Sequence, residues 1–366
     1  MSRFDLIIVG AGIIGTACAD AAAALGWRTA VVEPGPVGGG ATAAAMGHLV
    51  AMDDDMAELA LARYSIRQWQ AFADLPAAEF SRCGTLWVAR TAAEAAGIDA
   101  RVARLRAAGI YAQVLDAGDL QRIEPLLAPG MAGGMLVPDE AVVYPPGVAR
   151  HLLDQALSHD AQLYAARRVQ ALIHHGVQLD DGTQLHGRVL LATGGQLPEL
   201  VPELPMRLRK GHLVISERYP GLLQHQVLEM GYADSAHGQA DSSVAFNVQP
   251  RPTGQLLLGS SREFDADSGE VSPPMLQRML QHAFAFMPSL RRLRALRTWT
   301  GMRPTSVDGL PYLGAVPGRD EVWVAAGHEG LGITTALGSA LLLMDLMRGH
   351  TPAIDPAPYS PARVMQ

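Results

Sequence analysis

Gly10, Gly12 and Gly15 form a G-x-G-x-x-G turn, and Glu33 follows eighteen positions after the last of them. Each residue type has a physical task. The first glycine permits a tight turn, the second lets the backbone approach a pyrophosphate, and the third lets a helix pack closely on a sheet. An acid at that distance accepts hydrogen bonds from ribose hydroxyls and disfavours a 2′-phosphate. The pattern points to an adenine dinucleotide, FAD or NAD, and away from NADP.

The flanking residues supply the elements such a turn needs. Leu6–Val9 is a short apolar run that predicts a buried strand. An alanine-rich helix follows, Gly26 suits its end, and Thr29–Val32 predicts a second strand with Glu33 at its tip. The free N–H groups and positive dipole end of that helix suit phosphates.

Three later stretches separate the two cofactors. Pro36–Leu49 (PVGGGATAAAMGHL) is so rich in small residues that its backbone can lie against a flat ligand. Gly187–Pro198 predicts a strand ending in Thr193-Gly194-Gly195, a second glycine-bearing strand end. Glu321–Ala326 predicts a strand followed by Gly327, Gly330 and Gly332 and then a helix from Ile333 to Met347. The N-terminus of that helix suits the pyrimidine edge of a flavin, because its partial positive charge stabilises an anion there. A nucleotide motif at the start and a ligand-facing helix at the end imply a long cofactor across one sheet, and FAD fits better than NAD.

Bulk properties exclude several classes. The 366 residues are 49% hydrophobic and 18% charged, enough to bury a large core. The net charge is −7 and no basic block occurs, so nucleic acid is not an expected partner. No run of eighteen apolar residues occurs, so no transmembrane segment is expected, and no signal-like leader is read at the start. Cys18 and Cys83 cannot make a disulfide scaffold, and a cytoplasmic chain fits. No metal site is expected; the adjacent His174 and His175 suit a solvated turn. Lys210 is the chain's only lysine.

With these motifs in order, the chain resembles the flavin-dependent D-amino-acid oxidase and glycine/sarcosine oxidase superfamily. GAGIIG with Glu33, GGGATAAAMG, RKGHLV, LLLGSSREF, GMRPTSVDGLPYLG and AAGHEGLGITTA carry the resemblance nearly from end to end. SSREF and GHEGLG are most similar to dehydrogenase subunits of that group: D-hydroxyproline dehydrogenase, the cyanide-forming glycine dehydrogenase subunit and opine-oxidising subunits. The glycine oxidase branch has an arginine where this chain has Gly330, which points away from glycine oxidase.

The resemblance implies an α/β fold, a Rossmann-like FAD-binding domain interleaved with an α+β substrate domain built on a mixed sheet. The FAD-binding domain would take residues 1–78, 144–205 and 299–366, and the substrate domain 79–143 and 206–298. Leu208–Ser216, Ser243–Val248 and Gln255–Gly259 predict strands of the second sheet, with a hairpin turn at Arg251–Gly254. Glu79–Val88 and Gly134–Val143 could add others. The proline-rich stretch from Pro352 to Pro361 is expected to run extended along the surface.

The resemblance also assigns residues. Arg303 would anchor the substrate carboxylate, since a planar guanidinium suits bidentate recognition. His48 would lie near the flavin ring and steer or accept the amine proton. His328 and Glu329 would touch the flavin by backbone and face the substrate by side chain. Lys210 or His212 would approach the ring from the substrate sheet, with Phe246, Asn247 and Arg262 as weaker pocket candidates. FAD contacts would take in Ile13, Ile14 and Pro34; Ala41, Thr42, Ala45, Met46 and Gly47; Val169; Leu331, Ile333 and Thr334; and Arg303 itself. No cysteine follows Cys83, so the FAD is expected to be non-covalent.

The implied activity is FAD-dependent oxidation of a small D-amino or imino acid to the imine, with cis-4-hydroxy-D-proline as the leading substrate. Alternatives are a glycine-, sarcosine- or opine-oxidising subunit, passing electrons to a flavin or iron–sulfur partner chain. Such an acceptor could hold the chain loosely at a membrane. An NAD-binding regulatory module is the alternative from another class.

Overall fold

In the computed structural model, which describes residues 3–232, 242–264 and 268–365, two large sheets face each other across a cleft. The first sheet has six strands in the order Tyr312–Ala315, Val322–Ala326, Arg188–Leu191, Leu6–Val9, Thr29–Glu33, Gln162–Ala165. Its neighbours pair in parallel except for the antiparallel edge strand Tyr312–Ala315. The central strands are buried on both faces, which is why they are continuous apolar runs. Leu6, Ile8 and Val31 face the helices Ile13–Ala24 and Gly332–Arg348. Ile7, Val9 and Val32 face the small antiparallel sheet formed by Val169–Ile173, Gly176–Leu179 and Gln184–His186.

The alanines of Ile13–Ala24 let it pack between Gly332–Arg348 and Pro145–Ser158. By length and composition Glu329–Arg348 is apolar enough to cross a membrane, yet 67% of its apolar window is buried inside this fold. It ends at Gly349, whose φ of +70° turns the chain out of the helix.

The second sheet has eight strands, in the order Ala295–Thr305, Arg207–Arg218, Gln255–Phe264, Ser242–Pro250, Gln226–Glu229, Thr85–Ala89, Gly133–Val137, Gln113–Leu115. It is antiparallel except where Gln226–Glu229 meets Thr85–Ala89. Strand alternation sorts most of its side chains: Val214, Phe246, Val248 and Leu258 pack under the helix Pro273–Phe286, while Leu213 faces the cleft. Ser260 faces the cleft as well, because the strand register shifts between Gly259 and Ser261. Ser272 caps that helix by accepting a hydrogen bond from the Met275 N–H, with Pro273 next.

Four expectations change. Ala295–Thr305 pairs with Arg207–Arg218 along nearly its whole length, so the division expected between residues 298 and 299 falls inside one strand. The stretch Glu79–Val88 is strand only from Thr85, because Gly84 turns with φ +69°. Gly134–Val143 is two short strands, Gly133–Val137 and Ala141–Val142, interrupted at Pro138. The proline-rich tail is not merely draped on the surface. Tyr359 is buried in the core and donates its hydroxyl to the Ala57 carbonyl, and Arg363 pairs with Asp308.

Candidate active site

Strands of the six-stranded sheet end on one side, and their C-terminal ends open into a cleft of about 750 Å³. This is where ligands bind in open α/β sheets. Gly10 has φ +104°, and a Cβ there would lie 2.5 Å from the Ala192 carbonyl oxygen. The two strand ends therefore approach more closely than a side chain allows. The Glu33 carboxylate accepts from the Ala11 and Gly35 N–H groups, each at 2.7 Å, which fixes it at the cleft wall. Its remaining lone pairs are available to a ribose.

The small-residue stretch is ordered by contacts with both sheets. Thr42 Oγ1 accepts from the Ile13 N–H at 3.0 Å, tying the short helix Gly40–Ala44 to the first turn of the long one. From the other side, Trp299 Nε1 donates to the Ala44 carbonyl and Gln249 Nε2 to that of Met46, at 3.2 and 2.8 Å. The result is a narrow, side-chain-poor channel from Glu33 and Val169 past Thr193 and Gly194 to Gly327, Gly330 and the helix N-terminus at Gly332 and Ile333. The cradle that a Cβ would obstruct, the acid and the opposed helix end fit FAD.

Three of the expected cofactor contacts do not line the channel. Gly15 packs against the Gly10 carbonyl, its close approach serving helix–sheet packing. Leu331 turns into the core with Leu59 and Trp87. Thr334 Oγ1 donates to the His48 carbonyl at 2.9 Å and accepts from the Val50 N–H, so it holds the neighbouring strand. The other expected contacts do line it.

Arg303 reaches the channel from the eight-stranded sheet. Its guanidinium lies over Gly211 and Nη1 donates to the Ser261 carbonyl at 3.2 Å. Burial and the neighbouring Arg262 lower its pKa, while Glu329 opposes them. Glu329, held at φ +46°, stands 3.6 Å from the Arg209 guanidinium. Burial pushes its carboxyl up, but Arg262, Arg303 and Arg209 outweigh burial and hold it below the usual range, so it is ionised. His48 lines the channel; burial lowers it to about 4, against a partial offset from Gln249, and it is neutral at physiological pH.

Other expected side chains face elsewhere. Lys210 does not line the channel: it stands one residue from both Arg209 and Gly211, on the opposite face of its strand. His212 lies on that same face, with Nδ1 bonded to Ser261 Oγ at 2.8 Å and Nε2 accepting from the Ser272 N–H. The His328 ring shares a hydrogen bond with Ser339 of the last long helix, and burial lowers it to about 3; it faces the core, not the substrate. Phe246 stacks on Phe286, away from the channel. Asn247 is buried, with its Nδ2 3.4 Å from Ser260 Oγ. Sequence reasoning missed Arg209 and Tyr232, the latter part of the channel wall. The basic run RLRK before Gly211 showed that charge lies here but not which residue faces the channel, and nothing local marked Tyr232. Neither cysteine lines the channel.

Comparison with known proteins agrees with this geometry. The family described as FAD dependent oxidoreductase matches residues 5–346. A glycine oxidase from Geobacillus kaustophilus is 29% identical over 99% of this chain and 97% of its own length. The crystal structure of that organism's glycine oxidase superposes with a TM-score of 0.88 over 98% of each chain. The hydrogen cyanide synthase subunit HcnC of Pseudomonas aeruginosa is 28% identical over 68% of this chain and 59% of its own. A D-amino acid dehydrogenase from Rhizorhabdus wittichii is 27% identical over 74% of this chain and 65% of its own.

Proposed function

This chain belongs to the FAD-dependent oxidoreductase family, and from that premise we propose that it oxidises a small amino or imino acid whose carboxylate docks on Arg303. One observation carries the reading: the Arg303 guanidinium, lying over Gly211, faces the same channel as the helix end at Gly332. FAD, when bound, takes up the two electrons released as the substrate C–N bond becomes C=N. Arg303 fixes the carboxylate and thereby the carbon to be oxidised. His48, held neutral by burial, is a weak base, so the reactive form of the substrate is the amine that has already given its proton to bulk water.

The finer candidate is cis-4-hydroxy-D-proline, supported by the resemblance of SSREF and GHEGLG to dehydrogenase subunits. A Cβ at Gly330 would meet nothing within 4 Å, and this open space suits a substrate larger than glycine. Glycine is a second reading, supported by the full-length similarity to the Geobacillus glycine oxidase. The similarity to HcnC supports membership of a complex that passes electrons to a partner.

The test is to mix the holoenzyme anaerobically with both enantiomers of proline, hydroxyproline and linear amino acids, and with glycine and sarcosine, and to follow the flavin band. Bleaching by at least one is expected, and readmitted air then separates an oxidase from a dehydrogenase. A flavin that no amino or imino acid bleaches overturns the reading.

A further inference from the structure

Arg262 is a charge beside the channel that the reading above leaves without a task. It stands two residues after Ser260, which lines the channel, while Ser261 between them is bonded to His212 on the opposite face. From Ser261 onward the pairing with the neighbouring strand is regular, so Arg262 turns to the face opposite His212, where it stands beside the channel without forming part of its lining. The residue is only 3% exposed, yet its Nε and Nη1 make no hydrogen bond. Its guanidinium lies over the ring of Tyr232, itself part of the channel wall, at 4.7 Å from the ring centre.

A buried guanidinium with idle donors is costly unless a ligand completes it. The local charge balance points the same way. Arg209, Arg262 and Arg303 all act on Glu329, and no other carboxylate accompanies it among the described groups that shift Arg303. Position matters as well as charge, since Arg303 already serves the carboxylate next to the reacting carbon.

We propose that Arg262 binds a second acidic group of the substrate, which is therefore an amino dicarboxylate, its extra carboxylate carried on the side chain or on the amine nitrogen. This rests on the reading that Arg303 holds the first carboxylate, and it ranks such diacids above hydroxyproline and glycine. Tyr232 sets the angle of the Arg262 fork by stacking beneath it.

The first test uses the wild-type holoenzyme and acids that cannot be oxidised. Succinate and glutarate are titrated against butyrate while the flavin spectrum is followed. The better diacid should bind at least about 10-fold more tightly than butyrate, the low end for an added charge-assisted hydrogen bond. Equal affinities overturn the proposal. The second test compares kcat/KM for D- and L-aspartate, D- and L-glutamate and iminodiacetate with kcat/KM for alanine and proline. In Arg262→Met the ratio of diacid to neutral substrate should fall at least about 10-fold, mainly through KM, with partial recovery in Arg262→Lys. A ratio that stays fixed, or a wild type that prefers neutral substrates, overturns the proposal but leaves amino-acid oxidation standing. If no amino or imino acid bleaches the flavin, the functional reading fails, and the succinate titration still decides the role of Arg262.

Discussion

The Arg303 guanidinium occupies the space over Gly211 of the adjacent strand that a Cβ at that position would fill. Gly211 is thus what lets the arginine reach the channel. Gly211→Ala should push the guanidinium aside and raise KM, and Arg303→Ala should raise it further, by about 10- to 100-fold for a lost charged hydrogen bond. Both variants should keep their flavin absorbance. Steady-state kinetics beside the visible spectrum checks this, and an unchanged KM in Arg303→Ala removes the carboxylate assignment.

Thr42 satisfies the Ile13 N–H at the start of the first long helix. Thr42→Val leaves that buried donor unpaired, at a cost of about 1–3 kcal/mol. Because the same turn faces the cofactor channel, the variant should melt lower and purify with less FAD. Added FAD should recover part of the melting temperature by mass action. A variant with full flavin content and wild-type melting would show that this bond is dispensable.

Neither cysteine lines the channel, and burial pushes the Cys18 thiol up to about 12 and the Cys83 thiol to about 11. Neither offers a thiolate to a flavin ring. Acid precipitation should leave all the flavin in the supernatant. Yellow colour retained in the pellet would require an attachment through another residue.

Glu58 is buried on the helix Met56–Trp69, where burial first, then Glu329, Asp54 and Asp55, push its carboxyl from 4.5 up to about 8. Its folded pKa is raised, so between pH 4.5 and 8 the folded chain binds more protons than the unfolded one. Its contribution to stability is greatest below pH 4.5 and is lost as pH rises through about 8. Glu58→Gln removes this penalty. Its melting temperature should match the wild type near pH 5 and exceed it increasingly toward pH 8. A difference that does not vary with pH would mean that Glu58 ionises normally.

Much of the nucleotide side was legible because its signals are local. The strand Leu6–Val9, the turn, the alanine helix and the strand ending in Glu33 occupy one unbroken stretch, and each glycine has a steric reason readable from its spacing. The late strand and the helix Gly332–Arg348 were legible for the same reason. The substrate side was less so. Arg209 and Lys210 are neighbours in RLRK, but a strand sends them to opposite faces, and no periodicity in that polar run says which is which. His328 had the right place in a glycine loop, yet its ring found Ser339 eleven residues on, in the helix core.

The dinucleotide turn, its acid and the two further glycine-bearing strand ends can be read from the residues alone, because backbone sterics and short-range hydrogen bonds act over a few residues. The charge constellation exists only once distant strands have paired. Arg209, Arg262 and Arg303 come from three strands and Glu329 and Tyr232 from two connecting segments, all far apart in the chain, and the register of antiparallel pairing sets the faces of the three arginines. The tail shows the same division: its prolines predicted an extended path, but burying the Tyr359 ring against the core fixed where that path runs.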